Sequence, residues 1–199
     1  MELYGMPNII MKNDFDAVKI LVEHLSAHRL AIIPCDTIYG IVGSVPHSER
    51  DLRMVKGREE TKPFIQLIVP SMLQQISKDE LDPEVLAFWP GPLTVIVRDR
   101  NGGTVAVRVP ADPFLQQVIE SLGTPIYSTS VNFAGEMAFT RFSDMVRRFG
   151  TSIDLFIQGE ADQGTVPSTI IDATSRPYTL VRQGAVDVSS LVSHSEVPQ

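Results

Sequence analysis

The 199-residue chain is 43 % apolar and 21 % charged, with a formal net charge of −7. These values suit one globular domain and argue against a free-standing nucleic-acid clamp, which needs a strongly basic surface. The single cysteine, Cys35, excludes an internal disulfide and a cysteine-based zinc site.

Residues 14–27 predict a helix, with Phe15, Val18, Leu21, Val22 and Leu25 on one face. Residues 30–33 and 38–42 read as short strands. A helix over 47–55 follows, with Ser48 and Asp51 spaced as a capping box. Residues 64–69 predict a strand, Ser71 and Gln74 suit the cap of a short helix, and 83–89 read as another. Pro90-Gly91-Pro92 then breaks the chain. Strands over 93–98 and 104–109 flank the turn signal Asn101-Gly102-Gly103 and predict a hairpin. Asp112-Pro113 opens a helix that Gly123 closes. A strand over 126–129, a helix over 143–149 ended by Gly150, and strands over 153–157, 169–172 and 179–182 complete the pattern. Interleaved helices and strands with a hairpin give an α/β class with a mixed sheet. The expected domain is 1–187, followed by a loose polar tail over 188–199. No apolar run reaches the roughly 18 to 20 residues of a membrane span, and the N-terminus shows no signal-peptide pattern, so a cytoplasmic location without membrane contact is expected.

The standard phosphate loops, the dinucleotide-binding glycine fingerprint and the Gly-x-Ser-x-Gly elbow are absent from the sequence. His24 and His28 share the spacing of a zinc pair without the intervening glutamate of a metalloprotease, so no metal site is expected. Six polar clusters fall at predicted strand ends, where open α/β sheets bind ligands. In the first, 34–39, Pro34 ends a strand ladder; Asp36 suits either a pocket wall or a turn cap, and Tyr39 either the pocket or the core. The second gathers Lys56, Arg58 and Lys62 in an otherwise acidic chain, as an anion site or a solvated helix end. In the third, Val105 and Val107 take one face of a strand, Ala106 and Arg108 the other. Arg108 then needs either a ligand anion or a structural carboxylate partner. The fourth, 128–135, is a pocket edge or an ordinary Ser/Asn turn. Pro167 to Asp172 and Leu180 to Gly184 supply the last two. Together they suggest a polar pocket for a highly anionic ligand.

Seven motifs stand in one order: PCDTIYG, KGR with Pro-Phe five positions on, FWPGPLT, VRVP, STSVN with a following Gly, STIID and VRQG. Over residues 17–186 the chain resembles the YrdC-like family of threonylcarbamoyl-adenylate synthases, which includes the YciO branch. The resemblance implies a twisted open mixed sheet with flanking helices around a central basic cavity. It also implies the joining of L-threonine, bicarbonate and ATP into threonylcarbamoyl-AMP, with Mg²⁺ carried by the phosphates. Partner proteins then transfer the threonylcarbamoyl group to tRNA, which this chain meets indirectly. By position, it gives Lys56 and Arg58 catalytic roles. Arg58, Lys62, Thr104, Asn132, Thr140 and Arg182 fall to the nucleotide, and Cys35, Thr37, Arg108, Ser130 and Ser168 to the amino-acid and carbamoyl portion. Two positions depart from the usual pattern: Cys35 replaces a threonine, and Leu67 stands where many relatives carry histidine. These leave ATP binding as expected and open two alternatives, an adenylating enzyme for another amino substrate or a non-catalytic RNA- or ribosome-associated module.

Overall fold

A computed structural model describes residues 7–57, 63–159 and 166–192. Its strands are β1 Asn8–Met11, β2 Ala31–Ile33, β3 Gly40–Ser44, β4 Ile65–Leu67, β5 Leu93–Arg98, β6 Thr104–Arg108, β7 Ile126–Ser130, β8 Leu155–Gln158, β9 Thr169–Asp172 and β10 Thr179–Arg182. All ten join one sheet in the order β1-β8-β2-β3-β7-β4-β6-β5-β9-β10. The pairs β1/β8, β8/β2, β4/β6 and β5/β9 are parallel and the rest antiparallel. The mixed sheet and the β5/β6 hairpin are as the sequence predicts. The helices are α1 Ala17–Ser26, α2 Glu49–Lys56, α3 Leu73–Ile76, α4 Pro83–Leu86, α5 Pro113–Leu122 and α6 Phe142–Phe149.

Side-chain alternation divides the sheet into two faces. On the front, α1 and α5 lay Leu21, Leu25, Leu115, Val118 and Ile119 over Ala31, Ile33, Val42, Leu67, Ile126, Leu155 and Ile157. Burying each such side chain contributes about 1.5–3 kcal/mol, so this cluster anchors both helices. On the back, Leu52 of α2 and Met145 and Phe149 of α6 cover Ile32, Ile41, Tyr127 and Phe156. Val85 of α4 joins the back-face valines of β5 and β6. The front of β4, β6, β5, β9 and β10 belongs to none of these clusters beyond Ile65 and Leu67. Register places Ile65, Ala106 and Ile96 in one row there, and Ile170 with Thr94 and Arg182 in another. Ile96 and Ile170 are only partly buried and join no apolar cluster. The fold therefore leaves half of one sheet face without a helix among the described residues.

Local signals and tertiary contacts compete visibly. Asp112 caps α5 as predicted, accepting from the Phe114 N–H, and Gly123 closes it in the left-handed conformation at φ 73°. Ser48 precedes α2 but makes no side-chain cap, because its hydroxyl donates to the His28 carbonyl. Neither Ser71 nor Gln74 supplies a cap to the short helices around them. β1 is absent from the sequence reading. The expected loose tail is corrected in part: Val188 is 1 % exposed, and Leu191 and Val192 pack on the cluster around Tyr178. Among the described residues, no helix is long and apolar enough to cross a membrane.

Candidate functional site

Two polar clusters stand out, the first on the front face that no described helix covers and the second where the end of α2 meets the end of β7. The first begins with Arg108, at the end of β6 and 3 % exposed. Its Nη1 donates to Asp36 Oδ1 at 2.6 Å, and Asp36 Oδ2 accepts from the Ala111 N–H at 2.9 Å. Asp36 thus ties the loop after β2 to the chain after β6, and the carboxylate partner foreseen for Arg108 is real. It does not saturate the guanidinium, because Nε is buried without a hydrogen-bond partner among the described residues. An unmet buried donor is costly, so a ligand acceptor there gains what the protein lacks.

Arg182, at the end of edge strand β10, lies close enough for Arg108 to act on it electrostatically. Desolvation draws the Arg182 pKa down, and the Arg108 charge adds to the effect. Two guanidinium groups held together favour an anion between them. Arg182 is held by Ser168, whose carbonyl accepts from Nη2 at 2.8 Å and Nε at 3.1 Å; Ser168 Oγ lies 3.2 Å from Nη2. Ser168 Oγ also meets Thr94 Oγ1 at 2.8 Å. The Thr169 hydroxyl, donating to Val186 O and accepting from the Gly184 and Val186 N–H groups, clamps the loop after Arg182 to β9.

The second cluster surrounds Lys56, the last residue of α2. At 2 % exposure Lys56 is not the solvated helix end that its position alone permits. Its ammonium donates to Ser130 O at 2.7 Å and to Asn132 Oδ1. Ser130 Oγ donates to Asn132 Oδ1 at 2.7 Å, and Asn132 Nδ2 to Glu136 O at 2.6 Å. The 128–135 segment is therefore a locked polar turn. Leu67, Ile126 and Arg108 share one register row. Ser130 lies four residues along β7 from Ile126, about 13 Å in an extended strand.

Cys35 lies between the clusters. A side chain on Gly40 would meet both Ser128 Oγ and Cys35 Sγ within 3.2 Å, so the small residue lets the loop lie against β7. Burial pushes the Cys35 thiol up to about 12, against the pull of Arg108. It is a neutral lining group, not a nucleophile. Thr37 is buried in the same loop. The Tyr39 hydroxyl donates to Gly159 O and accepts from its N–H at 3.0 Å, which makes it a satisfied structural group. His24 bonds Leu30 O at 2.9 Å and His28 bonds Ser44 Oγ at 3.1 Å, so both serve packing.

The other expected positions do not join these clusters. Thr104 is exposed at the opposite end of β6 from Arg108, lining a cleft of about 340 Å³ with Glu49, Arg53, Phe64, Gln66 and Tyr127. Thr140 is exposed on the chain leading into α6. Arg58 and Lys62 lie outside the described residues. Thr94, the last residue of the FWPGPLT motif, and Ser128, the first of the 128–135 cluster, lie within those stretches without being singled out there as site residues.

The chain is similar to known proteins in sequence and in fold. The Sua5/YciO/YrdC family model, described as "Telomere recombination", matches residues 23–184. A Pyrococcus abyssi protein named threonylcarbamoyl-AMP synthase is 30 % identical over 190 residues, covering 87 % of this chain and 56 % of that one. The chain thus spans about half the length of that relative. An Aliivibrio fischeri protein of the same name is 28 % identical over 183 residues, covering 82 % of this chain and 97 % of its own. A crystal structure of P. abyssi Sua5 complexed with L-threonine superimposes with a TM-score of 0.80 at 25 % identity, over 88 % of this chain and 56 % of that one. The family model's match over most of the chain, with the 30 % identity to one relative and the shared fold, places this chain in the Sua5/YciO/YrdC family.

Proposed function

We propose that this chain joins L-threonine, bicarbonate and ATP into threonylcarbamoyl-AMP and releases pyrophosphate. The observation that carries the reading is the register row that runs from Arg108 through Thr94 and Ile170 to Arg182 on a face no described helix covers, with a buried Arg108 Nε that has no acceptor among the described residues. The names of the relatives and the threonine complex of one of them support the same substrate set.

Threonine's amine adds to bicarbonate with loss of water, giving a carbamate. A carbamate oxygen attacks the α-phosphorus of ATP as the bond to pyrophosphate breaks. The chain need only position the reactants and neutralise charge. Arg108 receives the amino-acid carboxylate on the fork edge that Asp36 leaves open. Lys56 fixes Ser130 and Asn132 and brings its charge to the end of β7, and Arg58 and Lys62 would add theirs against the triphosphate of the nucleotide. Among the described residues no three His, Cys, Asp or Glu side chains converge as a metal site. Mg²⁺ would therefore arrive on the triphosphate and lend its charge there. The product is an activated acyl adenylate for threonylcarbamoyl-transfer proteins, and tRNA is reached through them.

Cys35 and Leu67 favour a second reading. Both are buried in the apolar front cluster, and Leu67 pairs in register with Arg108. They offer a substrate side chain little hydrogen bonding, which suits an amino substrate less polar than threonine. One assay separates the readings: pyrophosphate release with ATP, bicarbonate and each amino acid in turn. Release with threonine supports the first and release with another amino acid the second. No release with any, together with salt-sensitive RNA binding, leaves a non-catalytic module. Arg108→Ala is expected to weaken amino-acid binding more than ATP binding; equal losses in calorimetry contradict its assigned role.

A further inference from the structure

We infer that Thr94 is a positioning residue that turns Ser168 into a hydrogen-bond donor aimed at an anionic oxygen of the bound substrate. The inference deepens the proposed reaction and rests on that reading for the identity of the ligand.

Thr94 is fully buried on the front face of β5, and Ser168 Oγ, at 2.8 Å, is the sole partner of its hydroxyl among the described residues. Two arrangements of the protons are possible. If Ser168 donates to Thr94, the Thr94 proton is sealed in the sheet without an acceptor, a cost that folded proteins avoid. If Thr94 donates to Ser168, the Thr94 proton has its acceptor, and of the two hydroxyl protons only that of Ser168 is left over. Ser168 Oγ then accepts twice, from Thr94 and from Arg182 Nη2 at 3.2 Å. A hydroxyl has one proton and two lone pairs. With both lone pairs engaged, its O–H is left to donate.

The surroundings define what receives that proton. Arg182 stands over Ser168, and Arg108 is near enough to lower the Arg182 pKa. The antiparallel register Val95↔Val107 brings Thr94 beside Arg108 at the next position on the same face. An acceptor at this point faces two positive charges, so it is an anionic oxygen: a carboxylate, a carbamate or a phosphate. Donation from Thr94 and Arg182 also polarises the Ser168 O–H and strengthens the bond it gives.

The test uses the full chain with Thr94→Val, Thr94→Ser, Ser168→Ala and the Thr94→Val/Ser168→Ala double variant. Binding of ATP and of L-threonine is measured separately by calorimetry, and KM and kcat by pyrophosphate release. Thr94→Val and Ser168→Ala should each weaken the same ligand by about tenfold, as loss of one charge-assisted hydrogen bond does. Thr94→Ser keeps the hydroxyl and should restore affinity to within about twofold. The double variant should bind no worse than Ser168→Ala, because Thr94 acts only through Ser168. Wild-type affinity for both ligands in Thr94→Val overturns the inference, as does a double variant whose loss is the product of the single losses. Thr94→Ala replaces Thr94→Val should the valine disturb β5. If the unaltered chain releases no pyrophosphate with threonine, the proposed reaction falls on its own. The relay is then judged on ATP binding, and unchanged ATP affinity in Thr94→Val overturns it.

Discussion

Gly184 shows how tightly a single position can govern the site. A Cβ there would lie 2.5 Å from the Ser168 carbonyl carbon and oxygen, and would also strike the Pro167 carbonyl oxygen. These are backbone atoms with no rotamer to escape into. Gly184→Ala must therefore lift the 183–186 loop from β9 and carry Arg182 off Ser168. The expected cost is about 1–3 kcal/mol in urea unfolding, as for other overpacked sites, with a larger loss of ATP affinity. Gly103→Ala is the control, since a Cβ there meets nothing within 4 Å. Cys35 gives a pH prediction at the same scale. Its thiol rises from 9.0 to about 12 on folding, through burial. The folded state thus holds the proton more tightly than the unfolded chain. The associated stability is whole below pH 9 and is lost as pH climbs toward 12. Tyr127, raised from 10.0 to about 12, acts in the same direction one unit later. Urea midpoints should fall between pH 9 and 10 in the parent chain and much less in Cys35→Ala; equal slopes would sink the assignment.

At the scale of elements, α5 and α2 begin with similar sequence signals and end differently. Asp112-Pro113 and Gly123 are adjacent to the turns they control, and the cap forms as read. Asp112→Ala removes that cap and the 2.7 Å ion pair to Lys12. The cap alone accounts for about 1 kcal/mol, readable as a lower melting temperature that Asp112→Asn partly restores. Ser48 had the same local fitness, yet its hydroxyl serves His28, twenty residues away. No local pattern announces that contact. β1 was hidden for a related reason, because its four residues are ordered by parallel pairing with β8 from the far end of the chain. The site divides along the same line. Arg108, Ser130, Asn132, Ser168 and Arg182 were legible in motifs, and the alternation that turns Arg108 away from Val107 could be read directly. The meeting of Arg108, Ser168 and Arg182 on one face could not, since it depends on the order β6-β5-β9-β10, which brings strands distant in sequence side by side. Mixed directions also explain why the site lies on a face. Arg108 and Arg182 end their strands, whereas Ser168 precedes one.

For the whole molecule, the open question of extent is a question about Arg182. β10 is an edge strand with every residue exposed, bound to the sheet through β9 alone. Little apolar burial holds it, so its order depends on neighbours. Tyr178, just before it, donates to Asp82 Oδ2 at 2.5 Å and forms a bridge with Val192. Val188 is sealed beneath this corner, and Leu191 and Val192 pack around it. A chain ending at Asp187 loses this packing, and Val188 alone represents about 1.5–3 kcal/mol of burial. A chain ending at Val192 keeps it. The first truncation should unfold at lower temperature and bind ATP less tightly, because fraying of β10 releases Arg182 from Ser168. The second should match the full chain in both measurements. Equal behaviour of the two would place the domain's end at Asp187. A stability loss without a change in ATP affinity would separate this corner from the site and leave Arg182 held by the Thr169 clamp and Ser168 alone.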